Sequence, residues 1–273
     1  MNIDSANPSH NKTVPWTLAD RQFNSRLMIG TAQYPSLSIM QQAIAASDAE
    51  IVTVSLRREN PTELDGQAFW QTLKTLNKTL LPNTAGCHTA KEAITTAQMA
   101  RELFATHWIK LEVIGNDLTL QPDPFALVEA AGELVAQGFE VFPYCTDDLI
   151  LCERLQAVGC RILMPWAAPI GSGKGIINPY ALSNLRAHFN ELTLIIDAGI
   201  GKPSDAVKAL EMGYDGILLN TAIAKAANPI EMASAFNFAV AAGALGAKAG
   251  LIAEQAHAVA STPVVGQPFW HQV

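Results

Sequence analysis

Short apolar runs rich in β-branched residues alternate along this chain with longer amphipathic runs. The short runs predict strands at 27–30, 51–56, 79–81, 107–114, 139–144, 161–164, 192–197 and 216–219. The longer runs predict helices at 36–46, 69–76, 124–137, 147–158, 180–189 and 203–212, with two more beginning near 89 and 228. Thr89 and Glu92 fit a capping box, and Asn228 followed by Pro229 fits a helix start.

Strand and helix follow one another through eight units, without a linker-like stretch between them. This alternation predicts a parallel sheet with helices outside it. Eight units favour a closed (β/α)8 TIM barrel, and an open doubly wound sheet is the alternative. The polar start and the proline-containing end predict a flexible tail at 1–22, a barrel domain at 23–250 and a C-terminal tail at 251–273.

The composition narrows the classes of partner. A chain of 273 residues buries a full core without disulfides or metals. The net charge is -7, and Arg57-Arg58 is the one adjacent basic pair, which argues against nucleic acid. The four cysteines form no Cys-x-x-Cys pair, so reduced thiols are expected, with no metal and no cofactor. No signal peptide and no uninterrupted apolar run of about 20 residues is found, so a cytoplasmic protein away from membranes is expected.

The predicted strand at 107–114 carries two charged residues, Lys110 and Glu112. Side chains alternate between the two faces of a strand, so this pair shares one face and Ile109 and Leu111 share the other. The apolar face should meet the outer helices, which directs the charged pair into the barrel. Desolvation there is expected to lower the pKa of the lysine and to free its amine for attack on a carbonyl. An ion pair that only fills the barrel, or an edge strand with both groups in water, is the alternative.

Two glycine-rich or polar strand ends predict a phosphate site. Asp197 ends an apolar strand, and Gly199 and Gly201 precede a helix, where exposed N–H groups suit an anion. Asn220 and Thr221 follow the eighth strand, and loops after strands seven and eight form the usual phosphate site of such barrels. A tight turn that needs glycine, and a capping role for Asn220, are the alternatives. The glycines at 171, 173 and 175 match no nucleotide-binding motif and suggest a lid or a backbone contact to substrate.

Six stretches together resemble the thiazole synthase family, which builds the thiazole phosphate of thiamine. They lie in family order over roughly 23–246, and they are LPNTAG at 81–86, WIKLE at 108–112, FPYC at 142–145, APIGSG at 168–173, DAGIG at 197–201 and LNTA at 219–222. The resemblance implies a (β/α)8 barrel. Trp166-Ala167 departs from the family's Leu-Gly, so the following loop is expected to differ in shape.

The resemblance also implies roles for particular residues and partners. Lys110 would form an imine with the ketone of 1-deoxy-D-xylulose 5-phosphate, and Glu112 and Asp197 would move protons. The substrate contacts would be Gly171, Ala198, Gly199, Asn220 and Thr221. A carrier protein ending in a thiocarboxylate would supply sulfur and dehydroglycine the nitrogen, in a homotetrameric enzyme.

Two other functions remain open from the residues themselves. Another enzyme that forms a lysine imine with a sugar phosphate would share Lys110 and the phosphate loops but would need no sulfur carrier. A non-catalytic sugar-phosphate sensor would bind the ligand without a covalent adduct.

Overall fold

The computed structural model describes residues 15–56, 64–259 and 261. In chain order its strands are β1 (Trp16–Leu18), β2 (Arg21–Phe23), β3 (Leu27–Gly30), β4 (Ile51–Ser55), β5 (Thr79–Asn83), β6 (Trp108–Leu111), β7 (Ile114–Asn116), β8 (Gln121–Pro122), β9 (Glu140–Cys145), β10 (Ile162–Pro165), β11 (Thr193–Asp197) and β12 (Gly216–Leu219). Its helices are α1 (Leu37–Ala46), α2 (Leu64–Thr75), α3 (Ala90–Phe104), α4 (Pro124–Ala136), α5 (Leu149–Ala157), α6 (Pro179–His188), α7 (Pro203–Glu211), α8 (Thr221–Ala224) and α9 (Pro229–Ala249).

Eight of these strands close into a parallel barrel in the order β3-β4-β5-β6-β9-β10-β11-β12, and β12 pairs back with β3. The predicted (β/α)8 TIM barrel is therefore confirmed, and the open doubly wound sheet is wrong. Closure leaves the barrel sheet without an edge, so the alternative that placed Lys110 on a solvent-exposed edge strand is also wrong.

The strand predicted at 107–114 is wrong at its end, because β6 stops at Leu111. The hydroxyl of Thr84 accepts from the N–H of Glu112 (2.8 Å) and donates to its carbonyl (2.7 Å), which replaces strand pairing there. The chain then turns into the β7–β8 hairpin at the carboxyl end of the barrel.

Alternation along the strands sorts the side chains into an outer apolar layer and an inner stack. Ile109 and Leu111 belong to the outer core, packed among the helices, as predicted. The inner stack is apolar over most of its height, and its members include Met28, Ile51, Leu81, Trp108, Phe142, Ile162, Met164, Ile195 and Leu218. The polar residues that follow along the same faces therefore meet at the carboxyl end.

The prediction of a flexible tail over 1–22 is wrong for residues 16–22, which form most of an antiparallel hairpin, β1–β2. Trp16, Leu18 and Phe23 are buried and join the inner apolar stack, and the Trp16 indole N–H donates to the carbonyl of Ser25 (2.9 Å). Burial of these three side chains gives the hairpin its stability. The hairpin closes the amino end of the barrel.

Some predictions fall outside the described residues, namely those for 1–14, Arg57-Arg58 and 262–273. Residues 251–259 follow α9 and are exposed, without helix or strand. One helix in the described part of the chain, α9, is long and apolar enough by length and composition to cross a membrane. Phe236 and Val240, two of its buried residues, belong to the outer core of the barrel, and the helix packs against α1 and α7.

Candidate active site

A cavity of about 710 Å³ opens at the carboxyl end of the barrel. Strand ends and the loops after them form its wall, as expected for this fold. The residues predicted for the site all line it: Lys110, Glu112, Gly171, Asp197, Ala198, Gly199, Asn220 and Thr221.

Three charged side chains form an ion triad at the floor of the cavity. The Nζ atom of Lys110 lies 2.7 Å from Oδ2 of Asp197 and 3.1 Å from Oε1 of Glu112. All three side chains are nearly sealed from solvent, at 7%, 4% and 7% exposed for Lys110, Asp197 and Glu112 respectively. The Lys110–Glu112 pair was predicted from strand alternation. The fold adds Asp197, which lies at the end of β11.

The predicted lowering of the lysine pKa is wrong. Burial does lower the pKa of Lys110, but the charges and hydrogen bonds of Asp197 and Glu112 outweigh it, and the net pKa lies above its usual value. Burial raises the pKa of Asp197 to about 6, against the opposing charge of Lys110 and with the added charge of Glu112. The resting site therefore holds an ammonium ion beside a carboxylate that is poised to take a proton near neutral pH.

Tyr144 is a buried neighbour of Lys110 that the sequence reasoning missed. The Nζ atom of Lys110 lies 5.7 Å from the centre of its ring, within cation–π range. Its hydroxyl donates to the carbonyl of Leu120 in the β7–β8 hairpin (3.3 Å), and Leu120 lines the cavity. Burial and the charges of Asp197 and Glu112 raise the pKa of the Tyr144 hydroxyl, which therefore stays protonated. Strand alternation could have predicted this position, because Tyr144 lies two residues after the inward-facing Phe142 on the same strand.

The loop after β11 packs against the loop after β10 with almost no space between their backbones. A Cβ atom at Gly199 would lie 2.3 Å from the N atom of Ala168, and one at Gly201 would lie 2.2 Å from the carbonyl oxygen of Gly173. The N–H of Gly175 donates to the carbonyl of Gly199 (2.8 Å). Glycine is therefore needed here for close approach, and Gly199 also has φ +80°.

The amides expected to bind an anion are only partly available. The N–H of Gly201 donates to the Asp205 carboxylate (3.1 Å), which also accepts from the N–H of Lys202. The prediction that Gly201 presents a bare amide is therefore wrong, because Asp205 already uses it to cap α7. Ala198, Gly199, Ile200 and Gly201 all line the cavity, but the N–H of Gly201 is already paired.

Asn220 and Thr221 begin α8, a one-turn helix whose start faces the cavity. The Asn220 side chain does not cap this helix, so the capping alternative is wrong. Its amide nitrogen donates instead to the carbonyl of Ala32 (2.8 Å). A Cβ atom at Gly30 would lie 2.6 Å from Cβ of Asn220, so glycine at 30 makes room for this arrangement.

Further polar residues on the wall were not predicted: Thr31, Gln33, Thr53, Ser55, Asn83 and Lys225. Ser55 Oγ and Asn220 Oδ1 are buried and have no hydrogen-bond partner among the described residues. Buried polar atoms are normally paired, so these two are available to a bound ligand. The sequence contained a signal for Thr53 and Ser55, because they are polar residues at alternate positions near the end of a predicted strand.

Trp166, the position that departs from the expected Leu-Gly, anchors the loop that carries Gly171. Its indole N–H donates to Oδ1 of Asp147 (2.9 Å), and the side-chain amide of Asn178 donates to Oδ2 of the same carboxylate (2.8 Å). One carboxylate thus holds both ends of the loop over the cavity.

Comparison with known proteins gives concordant matches. The family described as thiazole biosynthesis protein ThiG matches residues 17–263. Thiazole synthase of Bradyrhizobium sp. (strain ORS 278) is 61% identical over 93% of this chain and 98% of its own length. Thiazole synthase of Brucella anthropi is 57% identical over 91% of this chain and 97% of its own.

Two solved structures with the same fold superpose on this chain. BexX of Amycolatopsis orientalis, solved in complex with CysO, superposes with a TM-score of 0.80 and 31% identity, over 89% of this chain and 99% of that one. A thiamine phosphate pyrophosphorylase from Pyrococcus furiosus shares the fold alone, with a TM-score of 0.55 and 15% identity, over 81% of this chain and 96% of that one.

Proposed function

Because the chain belongs to the thiazole biosynthesis protein ThiG family and is an enzyme of thiamine biosynthesis, we propose that it builds the thiazole ring on an imine of Lys110. The substrates are 1-deoxy-D-xylulose 5-phosphate, dehydroglycine and the thiocarboxylate of a sulfur-carrier protein. The ion triad carries this proposal, since it holds a sealed lysine against two carboxylates on the floor of a ligand-sized cavity.

The first step needs a neutral amine. The Lys110 ammonium gives a proton to Asp197, whose oxygen lies 2.7 Å away and whose pKa is raised to about 6. The freed amine attacks the sugar ketone, a carbon–nitrogen bond forms, and water leaves to give the imine. Because the pKa of Lys110 is raised, this transfer is unfavourable in the resting site, and attack on the ketone draws it forward.

The imine acidifies the neighbouring carbon of the sugar. Glu112 and Asp197 both contact the lysine nitrogen, at 3.1 and 2.7 Å. They move the protons that convert the imine through an enamine and relocate the carbonyl. The carrier's sulfur attacks the relocated carbonyl, the carrier's acyl group passes from sulfur to the resulting oxygen, and the carrier leaves as its carboxylate. The nitrogen of dehydroglycine displaces the amine of Lys110, its carbon joins the sulfur, and water leaves as the ring forms.

The far side of the cavity suits the phosphate group. Ala198, Gly199, Asn220 and Thr221 come from the ends of β11 and β12, and the start of α8 points there, the usual arrangement for phosphate in these barrels. Gly171 and the cation of Lys225 line the same cavity. Ser55 and the free oxygen of Asn220 offer partners for the sugar hydroxyls. BexX was solved with a second protein, CysO, which supports a protein partner here.

The test is peptide mass spectrometry after borohydride reduction with 1-deoxy-D-xylulose 5-phosphate. We expect a stable adduct on Lys110 that is absent from Lys110→Ala. Lys225→Ala is the matched control, since it also removes a cavity lysine and should keep the adduct at saturating substrate. An adduct on another lysine would contradict the assignment of Lys110. No adduct despite bound sugar phosphate would contradict the proposal and favour a sensor. An adduct followed by turnover without any carrier would favour another lysine-imine enzyme.

A further inference from the structure

Thr84 follows the last residue of β5 and is completely buried. Its hydroxyl accepts from the N–H of Glu112 (2.8 Å) and donates to the carbonyl of the same residue (2.7 Å). Its own N–H donates to the carbonyl of Lys110 (3.1 Å). One buried threonine thus binds the backbones of two members of the ion triad at three points.

Lys110 and Glu112 are held in the barrel by different means. Lys110 lies within β6 and pairs with Asn83 of β5 on one side and with Phe142 of β9 on the other. Glu112 lies beyond the last residue of β6, after the register with β5 and β9 has ended. There the hydroxyl of Thr84 binds both the N–H and the carbonyl of Glu112. The backbone position of Glu112 therefore depends on this hydroxyl.

A threonine hydroxyl is well suited to this task. A hydroxyl donates one hydrogen bond and accepts others, so a single oxygen satisfies both backbone groups of Glu112. The branched Cβ atom of threonine restricts its side-chain rotamers, which fixes the direction of the hydroxyl. The two bonds thus hold Glu112 as a neighbouring strand holds Lys110.

The backbone position of Glu112 bears directly on its carboxylate. The side chain is 7% exposed and places Oε1 at 3.1 Å from Nζ of Lys110. Because the side chain is enclosed, a shift of its Cα atom also shifts the carboxylate relative to the lysine nitrogen. A displacement of about 1 Å in a reacting group lowers a rate by about a hundredfold.

We infer that Thr84 is a positioning residue for the proton transfers of the reaction, acting through Glu112; this rests on the proposed function. Its neighbours Asn83 and Ala85 line the cavity, but the hydroxyl of Thr84 is directed to the backbone of Glu112. Thr84 therefore affects the substrate by way of the Glu112 carboxylate. Imine formation on Lys110 should depend on it far less than proton transfer does.

Thr84→Val and Thr84→Ser separate the hydroxyl from the rest of the side chain. Valine keeps the shape of threonine but leaves the N–H and the carbonyl of Glu112 unpaired in a buried place. Unpaired buried groups are costly, so the backbone there should move. Serine keeps the hydroxyl, and both variants keep the backbone bond from residue 84 to Lys110.

The test follows two rates with 1-deoxy-D-xylulose 5-phosphate in deuterated water, without the carrier. Borohydride trapping of the Lys110 adduct gives the rate of imine formation. Proton NMR of the sugar gives the rate at which deuterium replaces the proton on the hydroxyl-bearing carbon beside the ketone. We expect Thr84→Val to slow deuterium uptake at least about tenfold and imine formation less than about threefold. Thr84→Ser should restore deuterium uptake to within about threefold of the unaltered protein.

Thr96→Val is the matched control. Thr96 is a buried threonine of α3 whose hydroxyl lies 3.5 Å from Sγ of Cys87, so the same group is lost away from the ion triad. Both rates should stay within about twofold of the unaltered protein. A double variant adds a second check. Thr84→Val combined with Glu112→Gln should slow deuterium uptake no further than Glu112→Gln alone, since both changes act through one carboxylate.

Unchanged deuterium uptake in Thr84→Val, equal loss in Thr84→Val and Thr84→Ser, or a further loss in the double variant would each overturn the inference. So would an equal fall of both rates in Thr84→Val, since a general disturbance of the fold would then account for it. Absence of the Lys110 adduct from the unaltered protein would instead refute the proposed function and, with it, the role of Thr84.

Thr84→Cys decides the same point if Thr84→Val does not fold by circular dichroism. A thiol is a weaker donor and acceptor than a hydroxyl, so the hold on Glu112 is loosened without being lost. Deuterium uptake should then fall below that of Thr84→Ser at an unchanged rate of imine formation. Equal uptake in the cysteine and serine variants would overturn the inference.

Discussion

At the scale of single residues, the site is an ammonium held between two carboxylates. Such a triad carries one net negative charge, and it is sealed from water at 7% exposure or less. Desolvation of three charges is costly, and only their mutual attraction and hydrogen bonds offset it. The arrangement is thus stable as a set and unstable when one member is removed.

Lys110→Met should therefore be destabilising in a pH-dependent way. With the ammonium gone, the pKa of Asp197, already raised to about 6, should rise further beside Glu112. The folded state then binds more protons than the unfolded one, so the free energy of unfolding falls as pH rises. We expect a loss of about 3–5 kcal/mol near pH 8 and a much smaller loss near pH 5.5, measured by urea denaturation. Lys208→Met, on the exposed face of α7, is the control, and its free energy of unfolding should change little at either pH. Equal losses of stability at both pH values for Lys110→Met would contradict the argument.

At the scale of elements, the site depends on loops that touch through their backbones. The loops after β10 and β11 meet at Ala168 and Gly199 and again at Gly173 and Gly201. Asp147, in the loop after β9, accepts hydrogen bonds from the side chains of Trp166 and Asn178. A shift in one loop therefore moves Gly171, Ala198 and Gly199 together.

Gly199→Ala and Gly138→Ala separate close approach from backbone strain. Both glycines have φ +80°, so alanine costs about 1–2 kcal/mol of left-handed strain at each. A Cβ atom meets the backbone of Ala168 at 2.3 Å in the first case and nothing within 4 Å in the second. Gly199→Ala should raise KM for the sugar phosphate at least about tenfold, and Gly138→Ala should leave it unchanged. Steady-state kinetics decides, and similar KM values for the two variants would show that the close packing is not needed.

At the scale of the whole molecule, stability and chemistry lie at opposite ends of the barrel. The β1–β2 hairpin closes the amino end with Trp16, Leu18 and Phe23, while the ion triad and the cavity occupy the carboxyl end. The apolar inner stack separates the two. This division is the general one for such barrels.

Leu18→Ala should accordingly reduce stability without altering catalysis. Leu18 is fully buried in the hairpin, so its truncation should cost about 2–5 kcal/mol in denaturant unfolding. Thr17→Ala, on the exposed side of the same strand, should cost less than about 0.5 kcal/mol. Turnover at a temperature where both variants are folded should match the unaltered protein. A large fall in turnover for Leu18→Ala would show that the hairpin reaches the site.

By itself the sequence determined the order of the eight barrel strands and of the helices between them, the barrel, and the inward face of Lys110 and Glu112. These follow from local periodicity, since alternate residues of a strand face opposite ways wherever that strand lies. It did not determine the contact of Lys110 with Asp197, 87 residues further on, or the place of Tyr144 beneath the amine. Nor did it determine the direction of the Lys110 pKa, which depends on the balance between burial and two nearby charges. The burial of the β1–β2 hairpin at the amino end likewise depends on barrel closure, which forms the inner apolar stack that the hairpin packs against. The hydrophobic pattern of the sequence predicts which way a side chain faces. The distance between two side chains, and with it the interaction of their charges, depends on how the strands are arranged in the barrel.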